Sequence, residues 1–160
     1  MWKENNGSIR VSLRRTARSI YFATRRFFLA LVNLFFTPFL HKKKNKAVLV
    51  ILANKIGDFI IFSPSIHYLK KAYPHHTLTI LTDKSVSSLI PAFPEIDEYM
   101  SVNIKKLQRN FFYATKIFFY LRKKNFDVAL YPVYSRSFTG DELVKMSGAS
   151  ERVGDRKSVV

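Results

Sequence analysis

AVLVILA, residues 47–53, is an uninterrupted run of apolar side chains, three of which are β-branched. A run of this length and composition is typical of a strand that is buried on both faces of a parallel sheet. Gly57 and Asp58 follow it, and apolar residues then recur at helical spacing until Tyr73 and Pro74. The stretch therefore predicts a β-strand and a following α-helix, with Asp58 as the residue that caps the helix start.

The alternation of strand and helix continues along the chain. Further strands are predicted at residues 77–82 (TLTILT), 99–102 and 126–131 (FDVALY), and the start of another at residues 152–154. Helices are predicted at residues 85–90, 104–124 and 141–146. This repetition predicts an α/β fold with a Rossmann-like parallel sheet and right-handed crossovers.

The charge of the chain is large and unevenly placed. The 160 residues include 27 Lys and Arg against 11 Asp and Glu, a formal net charge of +16, and no cysteine. The length fits one ordinary domain, and the lack of cysteine excludes a disulfide framework and a thiolate metal site. Residues 1–46 hold eleven basic residues and one acid. We therefore expect a basic arm at residues 1–46 and a Rossmann-like domain at residues 47–160.

The arm has the pattern of an amphipathic helix. At about 100° per residue, apolar side chains share one face and arginines share the opposite one. The apolar run at residues 27–40 contains Pro38 and is shorter than the roughly 20 residues that a membrane-spanning helix needs. These features favour an anchor that lies in the surface of an anionic membrane. The predicted membrane contacts are Arg14, Arg18, Arg25, Phe27, Phe28 and Leu31.

Two other readings of the arm remain open at this stage. Its apolar face also fits packing on the domain or on another chain. Binding of nucleic acid is the less favoured of the two. Nucleic acid is not expected as a partner, because long apolar stretches do not serve phosphate contacts.

Two loops carry the candidate binding residues, because ligands of such sheets collect at the carboxyl ends of the strands. In the first loop, Asn54, Lys55 and Gly57 precede Asp58, so helix N–H groups and a small residue face a ligand. Asp58 fits a general base and fits a simple helix cap equally well.

The second loop, residues 132–139, contains Arg136 and Ser137. Two interpretations of Arg136 stay open: its guanidinium binds an anionic group of a ligand, or it is a solvated surface residue. Nicotinamide and flavin cofactors are disfavoured, because the first loop has one glycine where the dinucleotide fingerprint has three. The histidines have no spacing that indicates a metal site.

Several short segments occur in a fixed order: KIGD at residues 55–58, LKKAYP at 69–74, PEID at 94–97 and SGA at 147–149. With the strands around them, they resemble the N-terminal half of family 9 glycosyltransferases, the lipopolysaccharide heptosyltransferases. The resemblance covers about residues 46–156. It implies a GT-B enzyme that transfers a sugar, typically heptose from ADP-heptose, to a lipopolysaccharide core or related glycan acceptor. The resemblance also implies that the anomeric centre of the sugar is inverted and that no metal or cofactor is essential. It further implies a peripheral position on the cytoplasmic face of the inner membrane.

The resemblance also implies roles for individual residues. Asp58 corresponds to the base that deprotonates the acceptor hydroxyl, and Gly57 lets the loop approach the substrates. Arg136 and Ser137 fall where a basic residue and a serine line the acceptor side. The donor-binding domain of such enzymes is absent from these 160 residues, so we expect the chain alone to be inactive. The alternative is a non-catalytic, membrane-associated acceptor-binding module that acts with a separate donor-binding chain.

Overall fold

The computed structural model describes residues 23–24, 27, 31, 45–53, 56–133 and 137–154. The chain divides into two compact units, residues 1–39 and 40–160. The elements of the second unit are β1 (Asn45–Leu52), α1 (Ile56–Ala72), β2 (Thr77–Asp83), a 3₁₀ helix (Lys84–Ala92), β3 (Glu98–Val102), α2 (Ile104–Arg109), α3 (Phe111–Lys124), β4 (Phe126–Tyr131), α4 (Phe138–Ser147) and β5 (Glu151–Gly154).

The five strands form one parallel sheet in the order β3-β2-β1-β4-β5. From β1 the chain moves outward to β2 and β3, and it then returns across the sheet to β4 on the other side of β1. Because parallel connections are right-handed, α1 and the 3₁₀ helix cover one face, and α2, α3 and α4 cover the other. The predicted α/β fold with a Rossmann-like sheet is confirmed.

The central strand β1 is the most deeply buried part of the domain. Its side chains from Val48 to Leu52 are inaccessible to solvent, as expected for a strand with helices on both faces. Phe59 and Ile66 of α1 pack on one side of the sheet, whereas Phe118 and Leu121 of α3 are buried on the other. The apolar run that predicted the fold is therefore the centre of the core.

Helix α1 begins earlier than the sequence predicts. It starts at Ile56, so Asp58 lies within the first turn and is not the N-cap. Pro64 lies inside this helix, where its missing N–H leaves the carbonyl of Ile60 without its usual donor. The hydroxyl of Ser63 donates to that carbonyl at 2.8 Å, so the helix continues through the proline.

The helix predicted at residues 104–124 is two helices, and the prediction of a continuous one is wrong. Asn103 caps α2 by accepting a hydrogen bond from the Lys106 N–H at 2.8 Å. Asn110 is extended, with φ −111° and ψ 111°, and its side chain accepts from the Tyr113 N–H at 2.9 Å to start α3. Periodicity continued across the break, but the local hydrogen bond of Asn110 competes with the helical backbone.

The predicted helix at residues 141–146 also begins three residues earlier, at Phe138. Ser137 is its N-cap, and Gly148 ends it in the left-handed conformation with φ 69°. A side chain at Gly148 would also overlap the guanidinium of Arg122.

Only part of the predicted arm falls within the described residues. Ala23, Thr24, Phe27 and Leu31 are helical, and all four are exposed. Arg14, Arg18, Arg25 and Phe28 lie outside the described residues, and the domain boundary at residue 46 stays a prediction. Within the part of the chain that is described, no helix is both long enough and apolar enough to cross a membrane.

Asp97 connects α1 to the start of β2. Its carboxylate accepts hydrogen bonds from the Lys70 ammonium and from the Leu78 N–H, the latter at 2.7 Å. Burial by itself raises the pKa of Asp97, but these two hydrogen bonds outweigh it and hold the pKa below its ordinary value. The charged form of Asp97 is therefore favoured in the folded chain.

We expect this carboxylate to contribute to stability above its unfolded pKa of about 3.9 and to lose that contribution as the pH falls through its lower, folded value. Asp97→Asn should lower the urea midpoint at pH 7. It should also flatten the decline of the midpoint below about pH 5. Glu151→Gln, on the exposed edge strand, is the charge-matched control and should change neither. Identical pH profiles of the wild type and Asp97→Asn would contradict this role.

Candidate functional site

The sheet has one point at which the chain leaves neighbouring strands toward opposite faces. β1 and β4 are hydrogen-bonded neighbours, with Val48 paired to Val128 and Val50 to Leu130. After β1 the chain enters α1 on one face, and after β4 it enters α4 on the other. The ends of β1 and β4 are therefore a topological switch point, and the crevice outside such strand ends is where ligands of open α/β sheets bind.

The first turn of α1 forms one side of this crevice. Gly57 is exposed and Asp58 is half-exposed, so a ligand can reach both. The first turn of a helix also carries N–H groups that have no partner inside the helix and the positive end of the helix dipole, and both favour anionic or hydroxyl groups of a ligand. The structure therefore brings the predicted base and the predicted glycine together at the carboxyl end of the central strand.

Within the part of the chain that the structure describes, nothing requires a glycine at position 57. Its φ is not positive, and a Cβ added to it would meet nothing within 4 Å. Gly140, in contrast, lies against the ring of Tyr131, which an added Cβ would overlap. The open space at Gly57 is what close approach of a substrate to the helix start requires.

Ser137 forms the other side of the crevice, but its polar groups serve the fold. Its hydroxyl accepts a hydrogen bond from the Gly140 N–H at 3.1 Å and so caps α4. It also lies 3.1 Å from the hydroxyl of the buried Tyr131, which accepts from the Ser137 N–H at the same distance. The start of α4 is thereby held to the end of β4.

Sequence reasoning did not single out Tyr131 as a site residue. The sequence contained a signal for the helix cap at Ser137 and none for Tyr131. Ser137 precedes Gly140 by three residues, and Asp141 follows in the first turn of the helix. That Tyr131 reaches back to this serine is decided by the turn that the chain makes after β4.

A second residue that sequence reasoning missed is Asp83, at the carboxyl end of β2. Its carboxylate accepts from the N–H and hydroxyl of Ser85, at 3.0 and 2.8 Å, and from the Ile104 N–H at 3.4 Å. Burial raises the pKa of Asp83, but these hydrogen bonds outweigh it and lower the pKa. Asp83 thus joins the segments that follow β2 and β3. The sequence did contain a signal for Asp83, because an aspartate two residues before a serine at a strand end is typical of a turn.

Three predicted binding residues, Asn54, Lys55 and Arg136, lie outside the described residues, and their roles stay predictions. Among the described residues, no cluster of three or more His, Asp or Glu is arranged to hold a metal ion.

The sequence matches no protein-family model and no curated protein. Solved structures with the same fold do exist. One is the ADP-heptose LPS heptosyltransferase II of E. coli, with a TM-score of 0.55 and 22% identity. Another is a family 9 glycosyl transferase from Veillonella parvula DSM 2008, with a TM-score of 0.55 and 21% identity. The fold of this chain is shared with glycosyltransferases. The resemblance inferred from the sequence is thereby confirmed for the fold.

The match is extensive for this chain but partial for its neighbours. It covers 68% of this chain and 30% of the E. coli protein, and 69% of this chain and 32% of the Veillonella protein. The chain therefore spans about a third of the length of these structures.

The two glycines offer a matched test of the site geometry. Gly57→Ala should leave the free energy of unfolding unchanged or raise it by up to about 1 kcal/mol, because alanine is the better helix former and has room. Gly140→Ala should lower it by about 1–3 kcal/mol, because the fully buried Tyr131 ring must move. Urea unfolding followed by circular dichroism measures both. Strong destabilisation by Gly57→Ala would mean that this glycine serves the fold instead of a ligand.

Proposed function

We propose that these residues form the acceptor side of an inverting glycosyltransferase. The proposed donor is ADP-heptose, and the proposed acceptor is a lipopolysaccharide core or a related glycan. The observation that carries the proposal is the position of Asp58 and Gly57, in the first turn after the central strand, at the switch point of a fold shared with two glycosyltransferases. The identity of the two neighbours suggests the reaction class, and the exposed first turn supplies a group that fits its chemistry.

In the proposed reaction, Asp58 is the general base. Its carboxylate takes the proton of the acceptor hydroxyl as that oxygen forms a bond to the anomeric carbon of the donor sugar. The bond from that carbon to the nucleotide diphosphate breaks with its electron pair, and one displacement inverts the anomeric centre. Asp58 is half-exposed at the surface of the domain, so a hydroxyl can reach it without rearrangement of the core.

The surrounding residues are proposed to hold the acceptor. Gly57 leaves the space in which the acceptor lies against the helix start. We propose that Asn54, Lys55 and Arg136 contact the acceptor as well, with Ser137 keeping the second loop in place. The large positive charge of the chain favours phosphorylated substrates, because it raises their local concentration.

Transfer also requires a donor site, which we propose to lie in polypeptide outside these 160 residues. The two structural neighbours are about three times as long as the matched part. Without a group that holds the donor, the rate gain from holding both reactants in attack geometry is lost. Sugar transfer by the purified 160-residue chain alone would contradict this part of the proposal.

Asp58→Asn tests the chemistry. In protein isolated from its source cells, assayed with ADP-heptose and a heptose-deficient lipopolysaccharide core, this variant should lower kcat by about 10²- to 10⁴-fold, since a general base contributes that much. Acceptor binding should change little, because asparagine keeps the shape of the side chain. Asp141→Asn, a carboxylate in the first turn of α4, is the matched control and should keep kcat within about threefold of the wild type. A loss of less than about tenfold for Asp58→Asn excludes the base role.

We further propose that the arm holds the protein on the cytoplasmic face of an anionic inner membrane. Phe27 and Leu31 are one helical turn apart, and their exposed fractions are 68% and 36%. Apolar side chains left in water on one face of a basic helix are the feature by which interfacial helices bind lipid.

Phe27→Asp with Leu31→Asp should strongly weaken flotation of the full chain with anionic vesicles, because two charges would enter the apolar face. Ile61→Asp with Tyr68→Asp makes the same change at two exposed apolar positions of α1 and should leave flotation intact. Unchanged flotation of the arm variant would exclude the arm as the anchor.

A further inference from the structure

The segment that forms α2 and α3 has an unusual composition. Residues 104–124 contain seven basic residues, six aromatic residues and no Asp or Glu. The buried stripe explains the apolar half of this pattern, because Leu107, Phe118 and Leu121 pack in the core. The outward half is explained neither by packing nor by the crevice at β1 and β4.

The outward side combines aromatic rings with cations. The exposed fraction is 82% for Phe112 and 43% for Tyr120. Residues 112, 116, 120 and 123 recur every three or four positions, so they form one stripe along α3. We call the exposed side chains of these two helices the basic aromatic face: Lys105, Lys106, Arg109, Phe112, Lys116, Tyr120 and Lys123.

Neighbouring acids do not neutralise the two lysines of the α3 stripe, Lys116 and Lys123, among the described residues. Glu98 accepts two hydrogen bonds from Lys124, at 2.9 and 2.6 Å, and this raises the pKa of that lysine. Among the described residues, neither Lys116 nor Lys123 is paired with a carboxylate. The stripe on α3 therefore presents unneutralised positive charge beside exposed aromatic rings.

We infer that the basic aromatic face is a second membrane-binding surface, separate from the arm, and that its partner is an anionic lipid bilayer. Lysines attract anionic headgroups, and aromatic side chains prefer the headgroup level of a bilayer. A convex helical stripe lies flat on such a surface. Single-stranded nucleic acids instead bind in grooves in which successive bases stack on aromatic rings, whereas the outward side of a helix is convex. The inference does not depend on the proposed sugar transfer.

Charge neutralisation in the full chain tests this surface. Lys116→Gln with Lys123→Gln should weaken partitioning onto vesicles of phosphatidylglycerol and phosphatidylcholine by about 30-fold, since each lysine near such a surface contributes about 1 kcal/mol. Lys71→Gln with Lys84→Gln removes the same charge from the opposite face of the sheet and should weaken partitioning by less than about threefold. Because the arm is unchanged in both, a difference between the two pairs reports on the face itself. Equal effects of the two pairs, or no effect of the first, would overturn the inference.

The aromatic contribution is tested at high salt, where the charge attraction is screened. There, Phe112→Ser should weaken the remaining partitioning by about tenfold, because a buried phenyl ring contributes at least that much. Tyr68 is an exposed aromatic residue as well, with an exposed fraction of 70%, and Tyr68→Ser should have no such effect. Binding of a single-stranded oligonucleotide that depends on Lys116 and Lys123, without a matching dependence of vesicle binding, would assign the face to nucleic acid and overturn the lipid inference.

Discussion

The burial of β1 on both faces is the constraint on which the rest of the domain depends. Its side chains from Val48 to Leu52 have no contact with water, so strands must flank it and helices must cover it on both sides. The chain meets these demands by building outward to β2 and β3 and then returning to β4. That return makes the ends of β1 and β4 a switch point and leaves a crevice beside the first turn of α1. The site is thus a consequence of how the central strand is covered.

Small polar side chains set the boundaries of the elements around this core. Asn110 divides a periodic stretch into two helices, and Ser63 compensates the carbonyl that Pro64 leaves without a donor. Ser137 begins α4 and, through Tyr131, holds the start of this helix to the end of β4. Each of these contacts is one local hydrogen bond, worth about 1 kcal/mol. Asn110 and Ser137 thus determine where α3 and α4 start, whereas Ser63 supports α1 at Pro64.

The acids and bases of the domain are divided between internal and external tasks. Asp83, Asp97 and Glu98 are engaged with backbone N–H groups or lysines of neighbouring elements. With these acids used internally, the stripe of Lys116 and Lys123 keeps its charge beside exposed rings. This division is compatible with both proposals, since phosphorylated acceptors and anionic lipid are attracted by the same surplus of positive charge. The crevice and the basic aromatic face use different residues, so each is testable without the other.

The sequence by itself determined the fold class, because an apolar run such as AVLVILA is stable only inside a covered parallel sheet. It also determined that Gly57 and Asp58 lie at the end of that strand, and the ordered short segments indicated the glycosyltransferase fold. It did not determine the true start of α1. Nor did it determine the break at Asn110 or the role of Ser137 as a cap, since both depend on a side-chain hydrogen bond that competes with periodicity. Only the tertiary structure decided that Tyr131 holds the start of α4 and that Gly57 has open space around it among the described residues. Those properties arise from residues that the crossovers bring together, and they cannot be predicted from periodicity along the chain.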